Sequence, residues 1–411
     1  MRSKGKAEME TLLPRLPFPR AGVFDLPAEL RELQHRDAPT KVLTPTGDEA
    51  WLVTRYADVR SLLADTRLGR THPAPDQATR LSNSALTTAG PVGSYASERE
   101  DHARYRRRLT PAFSAKRMRA LHGRTEELLA GILDRMAALP SPVDLHDTVS
   151  MPLSLHVICE LLGVPYEDHD RFRAWFDGVS SMTNLERSTE ARQNLSAYMY
   201  ELARRKVDTP GEDLISDLVH SGTMELTPRA PGSASALDDL SYVAASLLFA
   251  GYRTTAIKVD AGAVLLLSNE DQRAALYRDP ALAEGAVEEV LRLSSPDLPL
   301  LRYAREDIEI AGTHVKLGEA VLLSTLAANR DSSVFADPDR FDITRDPNPH
   351  LSFGHGPRLC IGTTLARIEI AAALRMLVQR FPSLRLALPV EDLTRRNDVL
   401  IGGLAAVPVE W

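Results

Sequence analysis

Cysteine is nearly absent from this sequence: Cys159 and Cys360 are the only two among 411 residues. Two distant cysteines exclude a disulfide framework and point to a reducing compartment. One thiolate with no second cysteine nearby is also a poor structural zinc site, which needs four ligands. Long apolar runs are missing as well. No stretch reaches the roughly 20 residues that a membrane span requires, and Met1 to Arg20 holds only the broken run Leu12-Leu13-Pro14-Arg15-Leu16-Pro17-Phe18-Pro19. That run is no signal-peptide core, so the chain reads as soluble and cytoplasmic, without a membrane partner. Positive charge is in deficit: the net charge of −7 argues against a nucleic-acid partner, which calls for a basic footprint. Hydrophobic content of 44% and charged content of 26% are ordinary for a globular protein. Neither a repeat nor a sharp boundary divides the chain, so residues 1–411 are expected to form one domain behind a lead-in of about 25 residues.

One of the two cysteines has a distinctive setting. Phe353-Gly354-His355-Gly356-Pro357-Arg358-Leu359-Cys360-Ile361-Gly362 is a glycine-rich loop running into the helical stretch Thr364-Leu365-Ala366-Arg367-Ile368-Glu369. Glycines at 354, 356 and 362 permit close approach of a bulky partner and φ values that other residues resist. A cysteine just ahead of a helix sits near orphan N–H groups, which favours its thiolate. Such a thiolate suits a metal that brings its own further ligands, as haem iron does. A lone cysteine by itself would instead read as a small buried hydrophobe.

The complete pattern Phe-Gly-x-Gly-x-Arg-x-Cys-x-Gly resembles the haem-binding signature of the cytochromes P450. The resemblance implies a mainly α (α+β) fold, a helix-rich haem domain with small β-sheets near 40–56 and 308–324. It implies haem b bound through Cys360 as axial thiolate, with Phe353 beside the sulfur, Arg358 on a propionate and Gly362 completing the loop. His102 and Arg106, four apart and so on one helix face, resemble the family's His-x-x-x-Arg pair that reaches the propionates. Arg302, in Pro299-Leu300-Leu301-Arg302, is implied as a further propionate contact. Glu289 and Arg292, three apart, are implied to form a buried pair that braces the cysteine side together with Arg340. No acidic residue occurs between Asp101 and Glu126. Arg104, Arg107, Arg108, Lys116, Arg117 and Arg119 there would present a docking face for an acidic electron carrier.

Ser241 to Leu267 is the longest apolar helical run, with Ala250-Gly251-Tyr252-Arg253-Thr254 at its middle. A glycine inside a helix costs about 0.5–1 kcal/mol relative to alanine, so this one has a reason. By resemblance this is the central helix crossing above the haem. Ala250 and Gly251 would open a groove for dioxygen, and Thr254 would direct protonation during its activation. Thr254 alone would read as a back-bonded helix threonine. The family usually carries an acid just before the threonine, and this chain carries Arg253. A guanidinium stays charged and cannot shuttle protons as a carboxylate does. Asp260, on roughly the same helix face, is its candidate partner.

The small-residue stretch 70–97 reads as a long loop that, by resemblance, covers the substrate pocket. Expected pocket residues are Leu86, Ser246, Phe249, Ala250, Leu298, Leu300 and Leu400. The implied activity is that of a monooxygenase hydroxylating or epoxidising an apolar or aromatic small molecule of secondary metabolism. Electrons would come from NAD(P)H through a separate ferredoxin and its reductase, to a monomeric enzyme. Two other readings stay open. One is an oxidase that couples aromatic or cyclic-dipeptide-like substrates, which altered proton supply at Arg253 would favour. The other is a non-catalytic haem sensor or carrier.

Overall fold

The computed structural model describes residues 13–85, 94–220 and 235–411. Helices within them are α1 Ala28–Gln34, α2 Tyr56–Ala64, α3 Glu98–Leu109, α4 Ala115–Ala137, α5 Met151–Leu162, α6 His169–Val179, α7 Leu185–Asp208, α8 Leu214–His220, α9 Ala236–Leu267, α10 Glu270–Arg278, α11 Ala283–Leu293, α12 Thr325–Ala328 and α13 Thr363–Arg380. Helix α9 is the axis of the molecule, with 32 residues and hence a length of about 48 Å. It starts where Ser235 and Asp238 form a capping box: Asp238 N–H donates to Ser235 Oγ, and Ser235 N–H donates to Asp238 Oδ2. The run is apolar nearly all round because neighbours cover nearly all of it. Helices α5, α7, α11 and α13 pack on it, burying Leu240, Leu248, Tyr252, Val259 and Val264.

The glycine at 251 has its reason in this packing. A Cβ there would lie 2.7 Å from Ile158 Cδ1 on α5, so Gly251 lets the two helices close up. Helix ends fall before Pro140, at Gly163 and at Thr209, each beside a proline or glycine that stops the helix. Gly163 adopts φ +74° as a left-handed cap. A further interruption falls at Ser180–Asn184, where the Asn184 side chain caps α7 by accepting Arg187 N–H at 2.9 Å.

Both expected strand regions are present. The main sheet has the order β1-β2-β8-β5-β3, from Thr40–Leu43, Glu49–Val53, Ala320–Leu323, Leu300–Ala304 and Leu68–Gly69. Strand β2 runs parallel to β8, and the other pairings are antiparallel. Strands β6 (Ile308–Ile310) and β7 (Thr313–Val315) form a hairpin turned at Ala311 and Gly312, both at positive φ. A third sheet had no sequence signal: β4 (Val143–Asp144), β10 (Pro408–Glu410) and β9 (Arg385–Leu386). No helix among the described residues is long and apolar enough to cross a membrane.

Candidate active site

In the glycine-rich loop, two residues, Ile361 and Gly362, separate Cys360 from the start of α13 at Thr363. Gly354 and Gly356 take φ +76° and +71°, and a Cβ on Gly356 would sit 2.8 Å from Ala64 Cα on α2. Gly362 is different. Its φ is −85°, and what its missing side chain leaves is room beside Cys360 Sγ, 3.9 Å from the Cβ position. Cys360 N–H donates to Phe353 O at 2.9 Å, folding the loop back on itself. The Cys360 side chain is exposed beside the loop, open to a partner. Desolvation by the surrounding protein still pushes the thiol up, and this outweighs the Gly362 N–H and the cations Arg106 and Arg367.

Behind this loop stands a bracing set. Arg367 lies over the Phe353 ring, 4.8 Å from its centroid, and its Nε is 2.6 Å from Glu288 on α11. His350 Nε2 is 3.1 Å from the same carboxylate. Burial pulls the Glu288 carboxyl up, but its bonds to Arg367 and His350 win and hold it at about 2. Sequence reading missed this group, although Arg367 stands two helical turns beyond the cysteine and could have been asked for a partner.

Glu289 and Arg292 form the expected buried pair, with N–O distances of 2.8 and 2.7 Å and no exposure of either side chain. The role expected of Arg340 has to be corrected. That residue is exposed and offers only its carbonyl to Arg292, at 3.1 Å. The second cation on Glu289 is Arg345, at 3.2 Å, because the turn at Asp342–Arg345 carries it inward. Asn348 Nδ2 and Asp342 N–H, each at 3.0 Å, complete the carboxylate's partners.

On α9, Ala250 and Thr254 are exposed while Phe249, Tyr252, Arg253 and Thr255 around them are buried. They are one turn apart, so this face of an interior helix opens onto a cleft. Thr254 Oγ1 donates to Ala250 O at 2.6 Å, the back-bonded arrangement, and its lone pairs remain as acceptors. Arg253 does not pair with Asp260. Its Nη1 lies 2.8 Å from Asp177 on α6, whereas Asp260 binds His146 at 2.6 Å. The intervening turns point the two side chains at different helices. Among the pocket candidates, Leu300 is exposed and Ser246, Leu298 and Leu400 are half-buried. Phe249 is buried against Phe176, centroids 5.7 Å apart, and belongs to the core. Leu86 lies outside the described residues.

The sequence profile described as Cytochrome P450 matches residues 181–388. The chain belongs to the cytochrome P450 family. It is 38% identical over 405 residues to pentalenolactone synthase of Streptomyces exfoliatus, a match covering 97% of this chain and 99% of that protein. It is 37% identical over 403 residues to mycinamicin IV hydroxylase/epoxidase of Micromonospora griseorubida, covering 96% and 98%. The X-ray structure of substrate-free PimD, a polyene macrolide antibiotic pimaricin epoxidase, superposes with a TM-score of 0.85 at 38% identity, covering 97% and 99%.

A P450 is an oxidoreductase with haem b as its resident cofactor, and its electrons arrive from external redox partners. The residues of this chain fit that cofactor. Beside the cysteine loop a cavity of about 410 Å³ is lined by His102, Arg106, Arg302, Arg305 and Arg358, with Glu98 and Asp65 as its carboxylates. Burial, then Arg358, Arg106 and Arg70, push His102 down to about 4. Burial, Arg70 and Arg358 likewise push Arg302 down to about 9. Positive charge so crowded that its members disfavour one another calls for an anionic guest, and two propionates supply one. Glu98, unnoticed in the sequence, holds Arg358 and Arg305 meanwhile and takes the N–H groups of Arg70 and Thr71 at 2.8 and 3.0 Å.

Proposed function

We propose that this P450 hydroxylates or epoxidises a bulky, largely aliphatic natural product, acting as one haem domain in a monomeric, cytoplasmic protein supplied with electrons by a ferredoxin. The observation that carries the reading is the pairing of the Cys360 loop with an interior helix face bared at Ala250 and Thr254. In this reading Cys360 is the iron ligand, and Arg358, His102, Arg106 and Arg302 hold the propionates. Haem bound there supplies dioxygen activation, in which the thiolate's electron push favours O–O cleavage. The chain's own residues do the rest. The Phe353 ring is pinned under Arg367, and the Phe353 carbonyl accepts the Cys360 N–H, which fixes the loop that carries the sulfur. Thr254 Oγ1, its proton committed to Ala250 O, accepts a hydrogen bond from a water in the cleft and so fixes where that water's other proton points. Leu298, Leu300 and Leu400 exclude bulk water and orient an apolar substrate. The epoxidase of the polyene macrolide antibiotic pimaricin, similar along nearly the whole chain, supports a bulky guest. Oxidative coupling loses its particular support, because Arg253 is engaged by Asp177 and does not stand in the cleft.

The test has two stages. Ferric protein is titrated with macrolides and terpenoids on one side and aromatic cyclic dipeptides on the other, following the Soret band. The expected outcome is a high-spin shift with the aliphatic set. Turnover under isotopically labelled dioxygen should then place label in the product. Product without label would replace this reading with the coupling one.

A further inference from the structure

Arg253 stands where three parts of the chain meet. Its guanidinium reaches Asp177, near the end of α6, and its Nε donates to Ile401 O at 3.2 Å in the C-terminal turn. The side chain is only 5% exposed, so it is a fixed strut rather than a waving surface arginine. Asp177 receives a second cation, Arg396 Nη1, at 3.1 Å. Burial works against ionisation of Asp177, but the bonds and charges of Arg253 and Arg396 prevail and hold it below the usual carboxylate range.

The same two segments are stitched together by backbone. Leu400 N–H donates to Ser180 O at 2.8 Å, and Met182 N–H donates to Asp398 O at 3.0 Å. The turn also lies flat on α9, since a Cβ on Gly403 would meet Ile257 Cγ1 at 2.7 Å. Leu400, half-buried, sits in this turn beside the residue whose carbonyl Arg253 holds. Thr254 is the next residue along α9, yet a step of one residue rotates about 100° around the helix axis. The threonine therefore faces the cleft while the arginine faces α6 and the turn.

We propose that Arg253 is a positioning residue that fixes the height of turn 399–403 above the substrate space, and so sets how large a group fits beside Leu400. The inference rests on the haem reading above and adds a determinant of substrate size. It replaces a proton-transfer role for this position. A guanidinium bridging a carboxylate and a carbonyl holds its protons and aligns its neighbours.

The test uses the haem-loaded ferric protein and two probes that bind iron through nitrogen, imidazole and the larger 4-phenylimidazole, both followed by the Soret shift. In Arg253→Met and in Asp177→Asn, imidazole affinity should stay within about twofold. The 4-phenylimidazole affinity should change about tenfold or more. Arg253→Lys, which keeps the charge opposite Asp177 but lacks the second arm for Ile401 O, should fall between. Amide hydrogen exchange at Leu400 and Met182 should quicken in the same order. If imidazole gives no Soret shift in the unaltered protein, the haem reading falls and this inference with it. If imidazole binds but the affinity ratio is unmoved in either Arg253→Met or Asp177→Asn, the haem reading stands and the positioning role is wrong. A changed solvent isotope effect on electron coupling in Arg253→Met, with the ratio intact, would return the residue to proton delivery.

Discussion

On the cysteine side of the cleft, Glu289 and Arg292 meet each other, Arg345, Asn348 and several backbone groups, all within one buried knot. On the opposite side, Arg253 joins α6 and the C-terminal turn to α9 through one ion pair and one carbonyl bond. The first arrangement leaves a charged pair no alternative geometry, which suits a loop that must hold a metal ligand in place. The second fixes position through few contacts, which suits a wall whose placement decides what may enter. A P450 needs both, and this chain keeps them in separate parts of the fold.

The sharpest way to break the comparison is to remove one charge from each side. Arg292→Leu should cost about 3–5 kcal/mol, because Glu289 would be left charged, buried and short of its main partner; denaturant unfolding measures it. Glu288→Gln should cost about 1 kcal/mol, discounted for its partial exposure. Its folded pKa is depressed to about 2 from an ordinary 4.5. The stabilisation is therefore present at neutral pH and is lost as pH falls towards 2. Comparing the two unfolding curves at pH 7 and pH 3 should show the gap narrowing. Glu369 sharpens the contrast from the other direction. It is buried on α13, its Oε2 finds no hydrogen-bond partner among the described residues, and burial raises its carboxyl well above the usual range against the pull of Ser154. A raised folded pKa is stabilising only at low pH and becomes a cost as pH rises past the unfolded value. Glu369→Gln should then raise Tm by an amount growing from pH 4 to pH 8, for a gain of up to about 1 kcal/mol. Least affected should be Thr254→Val, within about 0.5 kcal/mol in stability, since that hydroxyl bonds only its own helix. Its effect belongs to electron coupling, read as product formed per NAD(P)H consumed.

What the sequence made legible follows the same division. The cysteine loop, the Glu289–Arg292 pair and the central helix are local patterns, and each fell where its spacing placed it. Capping by Ser235 and Asp238 was equally local and could have set the start of that helix five residues earlier than Ser241. The errors concern side chains whose partners come from far along the chain. Arg253 was matched with Asp260, seven residues away, but found Asp177 on another helix. Arg340 was credited with a place that Arg345 takes through the shape of one turn. Phe249 was assigned to the pocket by its neighbours, yet helical rotation sends it into the core.

The short sheet linking β4 to β10 has a bearing on how the protein comes to exist in the cell. Val143 and Asp144 pair with Val409 and Pro408, and Leu145 N–H waits for Val407 O, 2.8 Å away. A ribosome delivers the first of these partners long before the second. The edge of the helical half beside β4 therefore stays unfinished until β10 has been made. Such late, distant pairing makes for slow folding and a long exposure of apolar surface. Loss of the final few residues should accordingly cut the yield of folded protein far more than their small share of the buried surface would suggest.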